Sequence, residues 1–277
     1  MKTSLAIALA SIAGAFMQAC AHAAPASLPE GFGAAPRHET TRAVWSTSSG
    51  ESPTTLDRAL VEKTCAMKRS IGATTRTPVF EAGSDRPNTV TIVHVTSPQA
   101  WASYETIRGS VCDPATMDAT HDLCSCTFRE MTSRYIHIHK TRDGAAESID
   151  VDLAKGTATR NLRKAVPPHS MRPADAAVFG PVVGHDTIAG MPCSVHRQDL
   201  GTGRTERCLA DAVDSVPVPL QMQELSKTMY LLGAEGAERR DWRRTERIDA
   251  DAEIDTGVFE VPAGIAVRTI GLPGARP

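Results

Sequence analysis

Apolar and polar residues alternate on both sides of Asp143-Gly144, near the middle of the chain. A tight turn at these two residues predicts a β-hairpin, because Asp-Gly favours the turn geometry that joins neighbouring antiparallel strands. One face of this hairpin would be polar, with His137 opposite Asp150. Since one turn separates apolar from polar side chains, the pattern indicates a half-buried sheet. The apolar face would carry Ile136, Ile138, Ile149 and Val151.

Several other segments have the composition or the period of β-strands. A turn at Lys155-Gly156 extends the hairpin into a three-stranded meander over residues 130–163. Residues 89–95 are rich in β-branched side chains, and residues 187–197 and 204–211 predict a second hairpin. Residues 247–255 alternate strictly between apolar and acidic positions, which is typical of a strand with one buried face.

Helical patterns are fewer. Apolar residues recur at helical spacing over residues 56–71, and Gly72 supplies a stop. Ser97-Pro98 suggests an N-cap followed by a first-turn proline, which predicts a helix over residues 98–108. A short third helix is placed at 173–179, and residues 218–233 fit a helix or a strand. The predicted fold class is α+β: a curved antiparallel sheet or incomplete β-barrel capped by two or three helices.

Composition along the chain suggests how it is organised. Small, polar and Pro/Gly-rich stretches near the N-terminus indicate a tether, and the cysteines of the first half cluster before the clearest β pattern. The predicted segments are a signal peptide at 1–23, a flexible N-terminal tether at 24–55, a helical, cysteine-rich segment at 56–128, an antiparallel β domain at 129–265 and a C-terminal tail at 266–277.

The first 23 residues predict export. A basic Lys2, a short apolar run and Ala21-His22-Ala23 describe a secretory signal peptide, and the run is too short to span a membrane. We therefore predict a periplasmic or secreted protein without a transmembrane segment in its mature chain. An alternative treats Cys20 as the acylated residue of a lipoprotein. Ordinary cleavage is favoured because it leaves an even set of six cysteines.

Composition and motifs exclude several classes of function. A formal net charge of −2 gives no electrostatic reason to expect nucleic acid as a partner, and an aromatic content of 4% leaves few rings for stacking bases. The serine-hydrolase elbow, the metalloprotease helix motif, the P-loop and the haem attachment motif are all absent from the sequence. We therefore predict a protein that is not an enzyme and holds no cofactor or metal.

The six remaining cysteines predict disulfides. A turn centred on Leu200-Gly201 would place Cys193 opposite Cys208, within bonding distance. Cys124 and Cys126 share a strand face, so they are expected to pair separately, in an order that spacing does not decide. Their partners would be Cys65 and Cys112. The alternative is a zinc site formed by Cys112, His121, Cys124 and Cys126, which export disfavours.

Two polar patterns suggest chemistry but also have simple structural explanations. His137 and His139 share a strand face with Asp150, and a histidine–carboxylate pair can bind a metal or transfer a proton. On the predicted exposed face, however, such pairs are ordinary cross-strand contacts. The acidic positions of residues 249–255 suggest calcium, but they lack the glycine and the loop of an EF-hand, and nearby arginines offer simpler partners.

Three motifs of the second half carry a family resemblance: Ile188-Ala-Gly-Met-Pro-Cys193, Val216-Pro-Val-Pro-Leu220 and Phe259-Glu-Val-Pro-Ala-Gly264. With the Asp-Gly hairpin, they make residues 125–265 resemble the periplasmic outer-membrane lipoprotein-carrier superfamily. The resemblance implies an incompletely closed antiparallel barrel whose helices close a hydrophobic cavity for acyl chains.

The resulting prediction is an exported, non-catalytic envelope protein that binds a lipid or another hydrophobic ligand between sheet and helices. The apolar hairpin residues Ile136, Ile138, Ile149 and Val151 would line that site. The alternative is an envelope interaction or assembly factor without a small ligand, whose partner is another protein. A metal-dependent or hydrolytic enzyme that uses His137 and Asp150 is the third hypothesis.

Overall fold

A computed structural model describes residues 28, 30–33, 39–52, 58–73, 75–84, 87–118, 122–142, 145–164, 178–201, 203–211, 223–232 and 238–271. The predicted signal peptide, Cys20 and nearly all of the predicted helix at 173–179 lie outside these residues. None of the helices in the described ranges is long and apolar enough to cross a membrane.

The described chain is dominated by β-structure, with a single α-helix, α1, at Arg58–Ser70. The described chain also contains three short 3-10 turns: Pro114–Thr116, Leu123–Ser125 and Thr256–Phe259. The strands, in chain order, are β1 Thr40–Ser52, β2 Val79–Phe80, β3 Asn88–Thr96, β4 Ala100–Cys112, β5 Thr127–Arg142, β6 Ala145–Asp152, β7 Thr157–Lys164, β8 Val182–Ile188, β9 Met191–Leu200, β10 Gly203–Ala210, β11 Glu224–Leu232, β12 Glu238–Asp255 and β13 Ala266–Gly271.

All thirteen strands belong to one sheet. Its order is β13-β7-β6-β5-β4-β3-β1-β12-β11-β10-β9-β8, and β2 pairs with the first residues of β5. Neighbours are antiparallel except for two parallel pairs, β13 with β7 and β2 with β5. The first and last long strands of the chain, β1 and β12, therefore meet in the middle of the sheet.

The central hairpin has the predicted register. Ile138 lies opposite Ile149 and Ile136 opposite Val151, while His137 lies opposite Asp150. The turn residues 143–144 themselves lie outside the described ranges. Gly156, in the next turn, has a φ of +63°, a left-handed conformation that glycine adopts without strain. The three strands of the meander are confirmed, but the turn between β6 and β7 spans residues 153–156 rather than Lys155-Gly156 alone.

The predicted cap of two or three helices is wrong: α1 is the one α-helix in the described residues, and the fold is mostly β. The predicted helix at 98–108 is part of strand β4. Ser97-Pro98 forms a tight turn instead, in which the Ser97 N–H donates to the Ala100 carbonyl and the Ala100 N–H donates to the Ser97 Oγ. Serine and proline suit the first two positions of a β-turn as well as a helix start. Buried Ala102 and Tyr104 alternate along β4, which is the period of a strand.

Three segment boundaries also need correction. Residues 40–52 of the predicted tether form β1, whose two neighbours satisfy its polar backbone on both edges. Residues 266–271 of the predicted C-terminal tail form β13, beside β7. The ambiguous segment at 218–233 contains β11, a strand from Glu224 to Leu232. The antiparallel region therefore extends well beyond the predicted domain at 129–265.

The sheet curls in its second half. Asp186 on β8 lies 3.5 Å from Arg244 on β12, although three strands separate β8 from β12 in the sheet. Four flat strand spacings would hold these two strands roughly 19 Å apart. The curl encloses a small core around Cys193 and Cys208 that also contains Ile188 and Leu225.

Candidate functional site

The predicted ligand-binding residues lie together, but in a filled core. Ile136, Ile138, Ile149 and Val151 are each at most 1% exposed. They belong to the face of β1 and β3–β7 that we call the inner face. The largest hydrophobic cluster covers this face, and the side chains of Phe32, Val258 and Phe259 belong to it. The four residues are therefore packed within the main hydrophobic core.

Two segments, rather than helices, cover the inner face. Phe32 packs edge-on against Tyr104, with ring centroids 5.2 Å apart. The Tyr104 hydroxyl donates a hydrogen bond to the Val258 carbonyl, and burial raises the pKa of this tyrosine. Lys140 anchors the second segment through an ion pair of 2.6 Å with Glu260. Residues 256–265 thus cross the inner face between β12 and β13.

The opposite, outer face of these six strands carries a polar row that continues onto β13 and so spans seven strands. Cross-strand pairing aligns its members, which we call the outer row: Ser46, His94, Ser103, His137, Asp150, Thr159 and Arg268. Residues opposite each other on neighbouring strands project from the same side of a sheet. The alternation predicted for the hairpin therefore continues across most of this half of the sheet.

His137 of the outer row contacts two carboxylates. Its Nδ1 lies 2.7 Å from the Asp150 carboxylate, and its Nε2 lies 4.0 Å from that of Glu105. Ser103, the neighbour on β4, is only 6% exposed. A serine nucleophile needs access to substrate as well as an adjacent base, and Ser103 is largely shielded from solvent. The described residues contain no group of three His, Cys, Asp or Glu that could hold a metal ion.

His94 is the buried histidine of the outer row. It is 8% exposed, and its Nδ1 has no hydrogen-bond partner in the described structure. Burial lowers its pKa from 6.5 to about 4, helped by the positive charges of Arg243 and His137. The protein therefore holds this imidazole neutral at neutral pH.

We expect His94 to make the protein less stable in acid. The unfolded chain binds a proton at this site near pH 6.5 and the folded chain only near pH 4, so stability is fully present above pH 6.5 and is lost as pH falls toward 4. The shift corresponds to about 3 kcal/mol. Urea unfolding across this pH range measures it, and H94Q is expected to flatten the slope. An equally steep slope in H94Q would contradict the assignment.

Three disulfides are present: Cys65–Cys124, Cys112–Cys126 and Cys193–Cys208. The sequence left the order of the first two open. Because Cys112, Cys124 and Cys126 are disulfide-bonded, they are not available as the zinc ligands considered above. Three disulfides indicate an oxidising, extracytoplasmic compartment.

One disulfide of the first half ties α1 to the 3-10 turn before β5, and the other, Cys112–Cys126, ties the end of β4 to the residue before β5. Cys65 is bonded from α1 to Cys124, and Val61, one turn earlier, packs into the same cluster as Phe128. Phe80 stacks on Phe128 with ring centroids 4.7 Å apart. A helix of 13 residues is marginal by itself, so this tertiary anchoring stabilises it.

The third disulfide forms as predicted, but its cysteines are not directly opposite. Cys193 lies opposite Ala210 and Cys208 opposite Val195, because the strands turn between Leu200 and Gly203 rather than at Leu200-Gly201. The bond is therefore diagonal, with a Cα separation of 5.4 Å. Twisted antiparallel strands bring diagonal neighbours within reach of a disulfide.

Removing this disulfide is expected to cost about 3 kcal/mol of stability, because its 15-residue separation constrains the unfolded chain. The double variant C193A/C208A, measured by urea unfolding, tests this value. The single variants are avoided because each would leave a free thiol. A double variant as stable as the parent would contradict the expected contribution.

A cluster of charges lies near the middle of the curled half. The Glu224 carboxylate lies 2.6 Å from Arg243 and 2.9 Å from Arg207. The three side chains are 14%, 25% and 16% exposed. Phe179 covers the Arg207 guanidinium at 4.9 Å. One carboxylate on β11 thus holds a guanidinium group from β10 and another from β12 in a largely buried position.

The acidic strand at residues 247–255 forms the C-terminal part of β12. Asp251 lies 3.5 Å from Arg42 on β1, and Asp249 lies 3.8 Å from Arg247. Its alternate residues Ala252 and Ile254 are buried in the main core. Arginine partners and a buried apolar face therefore explain the pattern that suggested calcium.

The two ends of the sheet differ in how their edges are protected. The turn at Ala189-Gly190 makes Ile188 and Met191 a hydrogen-bonded pair, so the backbone of Thr187 points away from β9. The Asp186 carboxylate accepts the hydrogen bond from the Thr187 N–H at 2.7 Å. Strand β8 also has an irregular register between Val182 and Gly184. A side-chain cap and a bulge are both known to protect edges.

Strand β13 has neither of these protections. The Ala266 N–H donates to the Gly156 carbonyl of the β7 turn at 3.1 Å, so alternate residues Val267 and Thr269 direct their backbone groups away from β7. No described strand pairs with that edge. All side chains from 266 to 270 are exposed, including Val267 at 41% and Ile270 at 48%. Sequence analysis missed this strand, although three of its six residues are β-branched.

Comparisons with known proteins give little guidance. No family model matches the chain, and no curated protein matches it. The solved structure of PNGF-II aligns with 84% of this chain at a TM-score of 0.39 and 6% sequence identity. The aligned part is 32% of that protein's length, so this chain spans about a third of it. A TM-score of this size carries no argument about function.

Proposed function

We propose that the protein is an exported, non-catalytic interaction protein of the bacterial envelope, located in the periplasm, whose ligand is another protein. One observation carries this proposal. The side chains of Phe32, Val258 and Phe259 pack into the cluster on the apolar inner face, whereas the exposed edge strand β13 presents apolar side chains and an edge with which no described strand pairs. The surface available to bind a partner therefore lies at the edge of this sheet rather than within its core.

Crosslinking in intact cells followed by mass spectrometry tests the proposal. We expect one protein partner to be crosslinked in a constant ratio to the protein, and the gently purified complex to contain both chains. A native mass equal to that of the polypeptide alone, with no crosslinked partner, would reject the interaction function. A native mass increased by a fatty acid or a phospholipid would support the second candidate instead.

The second candidate is the binding of a lipid or another hydrophobic ligand, as the resemblance to the lipoprotein carriers suggests. The observation in its favour is the apolar inner face, covered in part by the short segment around Phe32. A ligand would have to replace the Phe32 side chain there. We expect F32A to take up a fatty acid in native mass spectrometry if this candidate is correct. Absence of uptake by both F32A and the parent protein would reject it.

The enzyme hypothesis stays a prediction, with His137 and Asp150 as its acid–base pair. Ser103, beside them, is shielded from solvent, and cross-strand His–Asp contacts are ordinary surface features. We expect H137A to crosslink to the same partner as the parent protein, with the same yield. Loss of a measurable hydrolytic activity in H137A would instead establish a catalytic role.

A further inference from the structure

We propose that strand β13 is the binding edge, and that its partner is an extended protein segment in which apolar and acidic residues alternate. This inference rests on the proposed interaction function and names the surface and the chemistry of the partner. The added segment would pair with β13 through backbone hydrogen bonds and extend the sheet by one strand. Four features of β13 support this assignment.

The first feature is the direction of the free backbone groups. Val267 and Thr269 point their N–H and C=O groups away from β7, two residues apart. This is the spacing at which a neighbouring strand forms its hydrogen bonds. The corresponding groups of β8 are already engaged at Thr187, whose N–H is capped by Asp186. Of the two ends of the described sheet, β13 is therefore the one prepared to accept a strand.

The second feature is the apolar surface that continues from the core. Val267 lies opposite Ala158 of β7, and Ala158 lies opposite Val151 of β6. Ala158 and Val151 are buried members of the main cluster, whereas Val267 is 41% exposed. An apolar side chain on the added strand, placed beside Val267, would extend this cluster by one row. The alternate residues of the partner on the inner face are therefore apolar.

The third feature is charge on the outer face. Arg268 ends the outer row, and Arg163 lies on the same face of the neighbouring strand β7, four residues beyond the row's Thr159. Both side chains are exposed, and neither forms an ion pair with another described residue. The acidic neighbours are already engaged, since Asp150 contacts His137 and Asp152 contacts Lys155. Acidic residues on the partner's outer face would complement the two arginines.

The fourth feature is the exposure of β13 on both of its faces. Every side chain from Ala266 to Ile270 is exposed, so the strand covers little apolar surface of the domain. A strand added outside β13 would bury part of Val267 on the inner face and part of Ile270 on the outer face. Pairing therefore removes apolar surface from water on both sides of the sheet.

Peptide binding to the mature protein tests the proposal. The probe is a fluorescently labelled, end-blocked peptide of about six residues in which valine and glutamate alternate, matching the length of a typical strand. A lysine version with the same pattern is the matched control. We expect the glutamate peptide to raise fluorescence anisotropy saturably and to bind at least about tenfold more tightly than the lysine peptide. Equal binding of both peptides would overturn the assigned chemistry.

Two variants locate the site. V267P removes an N–H that points away from β7 and so leaves the pairing with β7 intact, whereas V267T keeps the N–H and is its control. We expect V267P to weaken binding by about tenfold or more and V267T by less than about threefold. R268E is expected to reverse the preference between the two peptides. Equal affinities of V267P and V267T, with both variants folded by circular dichroism, would place the site elsewhere.

Crosslinking separates this inference from the function on which it rests. If V267P retains the envelope partner of the parent protein, the interaction function stands and the β13 assignment fails. If the parent protein itself has no partner, the interaction function fails, whatever the peptides show. Amide hydrogen exchange gives an independent readout, because the N–H groups of Val267 and Thr269 are expected to become protected in the complex.

Discussion

E224Q is expected to lower the free energy of unfolding by about 3–5 kcal/mol, because it leaves two largely buried guanidinium groups without their shared carboxylate. Arg207 and Arg243 lie 2.9 and 2.6 Å from Glu224. Glutamine preserves the shape of the side chain and removes only its charge. Urea unfolding at pH 7 measures the change, and the fold itself is checked by circular dichroism.

E206Q is the matched control for this prediction. Glu206 pairs with Arg197 at 2.8 Å on the same sheet, but the Arg197 side chain is 45% exposed. Exposed pairs contribute less than about 1 kcal/mol. Equal destabilisation by E224Q and E206Q would show that burial does not govern the strength of these pairs. A more stable E224L would show that the cluster serves specificity rather than stability.

F32A is expected to destabilise the protein by about 3–5 kcal/mol, the usual cost of deleting a fully buried aromatic ring. Phe32 is 1% exposed and contributes to the main cluster from a short segment that precedes β1. Its edge-on contact with Tyr104 is also lost. The measurement is the midpoint and slope of urea unfolding.

F32L separates the ring from its apolar volume. It keeps most of the buried surface, so we expect a loss of less than about 2 kcal/mol. If F32A lowered the free energy of unfolding less than F32L did, Phe32 would not be part of a cooperatively folded core. In that case residues 30–33 would be a dispensable cover, which would favour the hydrophobic-ligand candidate over the interaction function.

The strands that the sequence predicted well were those with local signals. The Asp143-Gly144 pattern, together with strict alternation, predicted the register of β5 with β6. The turn predicted at Lys155-Gly156 was placed correctly, but it spans residues 153–156 and pairs Asp152 with Thr157. The pairing of Cys193 with Cys208 also follows from a hairpin, although the position of the turn shifted the two cysteines to a diagonal. Local patterns work here because each strand's neighbour is adjacent in the chain.

The failures have a common physical cause. Four of the thirteen residues of β1 are serine and one is glycine, so its strand propensity is weak, and it forms because β3 and β12 satisfy both of its edges. Ser97-Pro98 fits two local structures, and only the alternation of β4 distinguishes them. The filling of the inner face by Phe32 and Phe259 depends on contacts far apart in sequence. Neither the pairing of β1 nor the packing of the inner face leaves a periodic trace that predicts it.

The Glu224 cluster and the β13 edge were missed for a different reason. Glu224, Arg207 and Arg243 lie on three strands and meet only because of the register among them. β13 has strand-like composition, but its parallel pairing with β7 requires residues 256–265 to cross the sheet. In both places the strand topology brings together residues of ordinary type. Composition does not encode that topology.

The meeting of β1 and β12 in the middle of the sheet has a consequence for the order of folding. Arg42 hydrogen-bonds to the Asp251 carbonyl across a separation of 209 residues, whereas β3–β7 and β8–β11 pair mostly with their neighbours in the chain. Local hairpins close fast and distant pairs slowly, because a long loop loses more entropy on closure. We therefore expect the two meanders, β3–β7 and β8–β11, to form early. The second edge of β1 is paired only when β12, which lies near the other end of the chain, has joined it. Until β1 and β12 pair, the junction between the two meanders is the part of the molecule most exposed to misassembly.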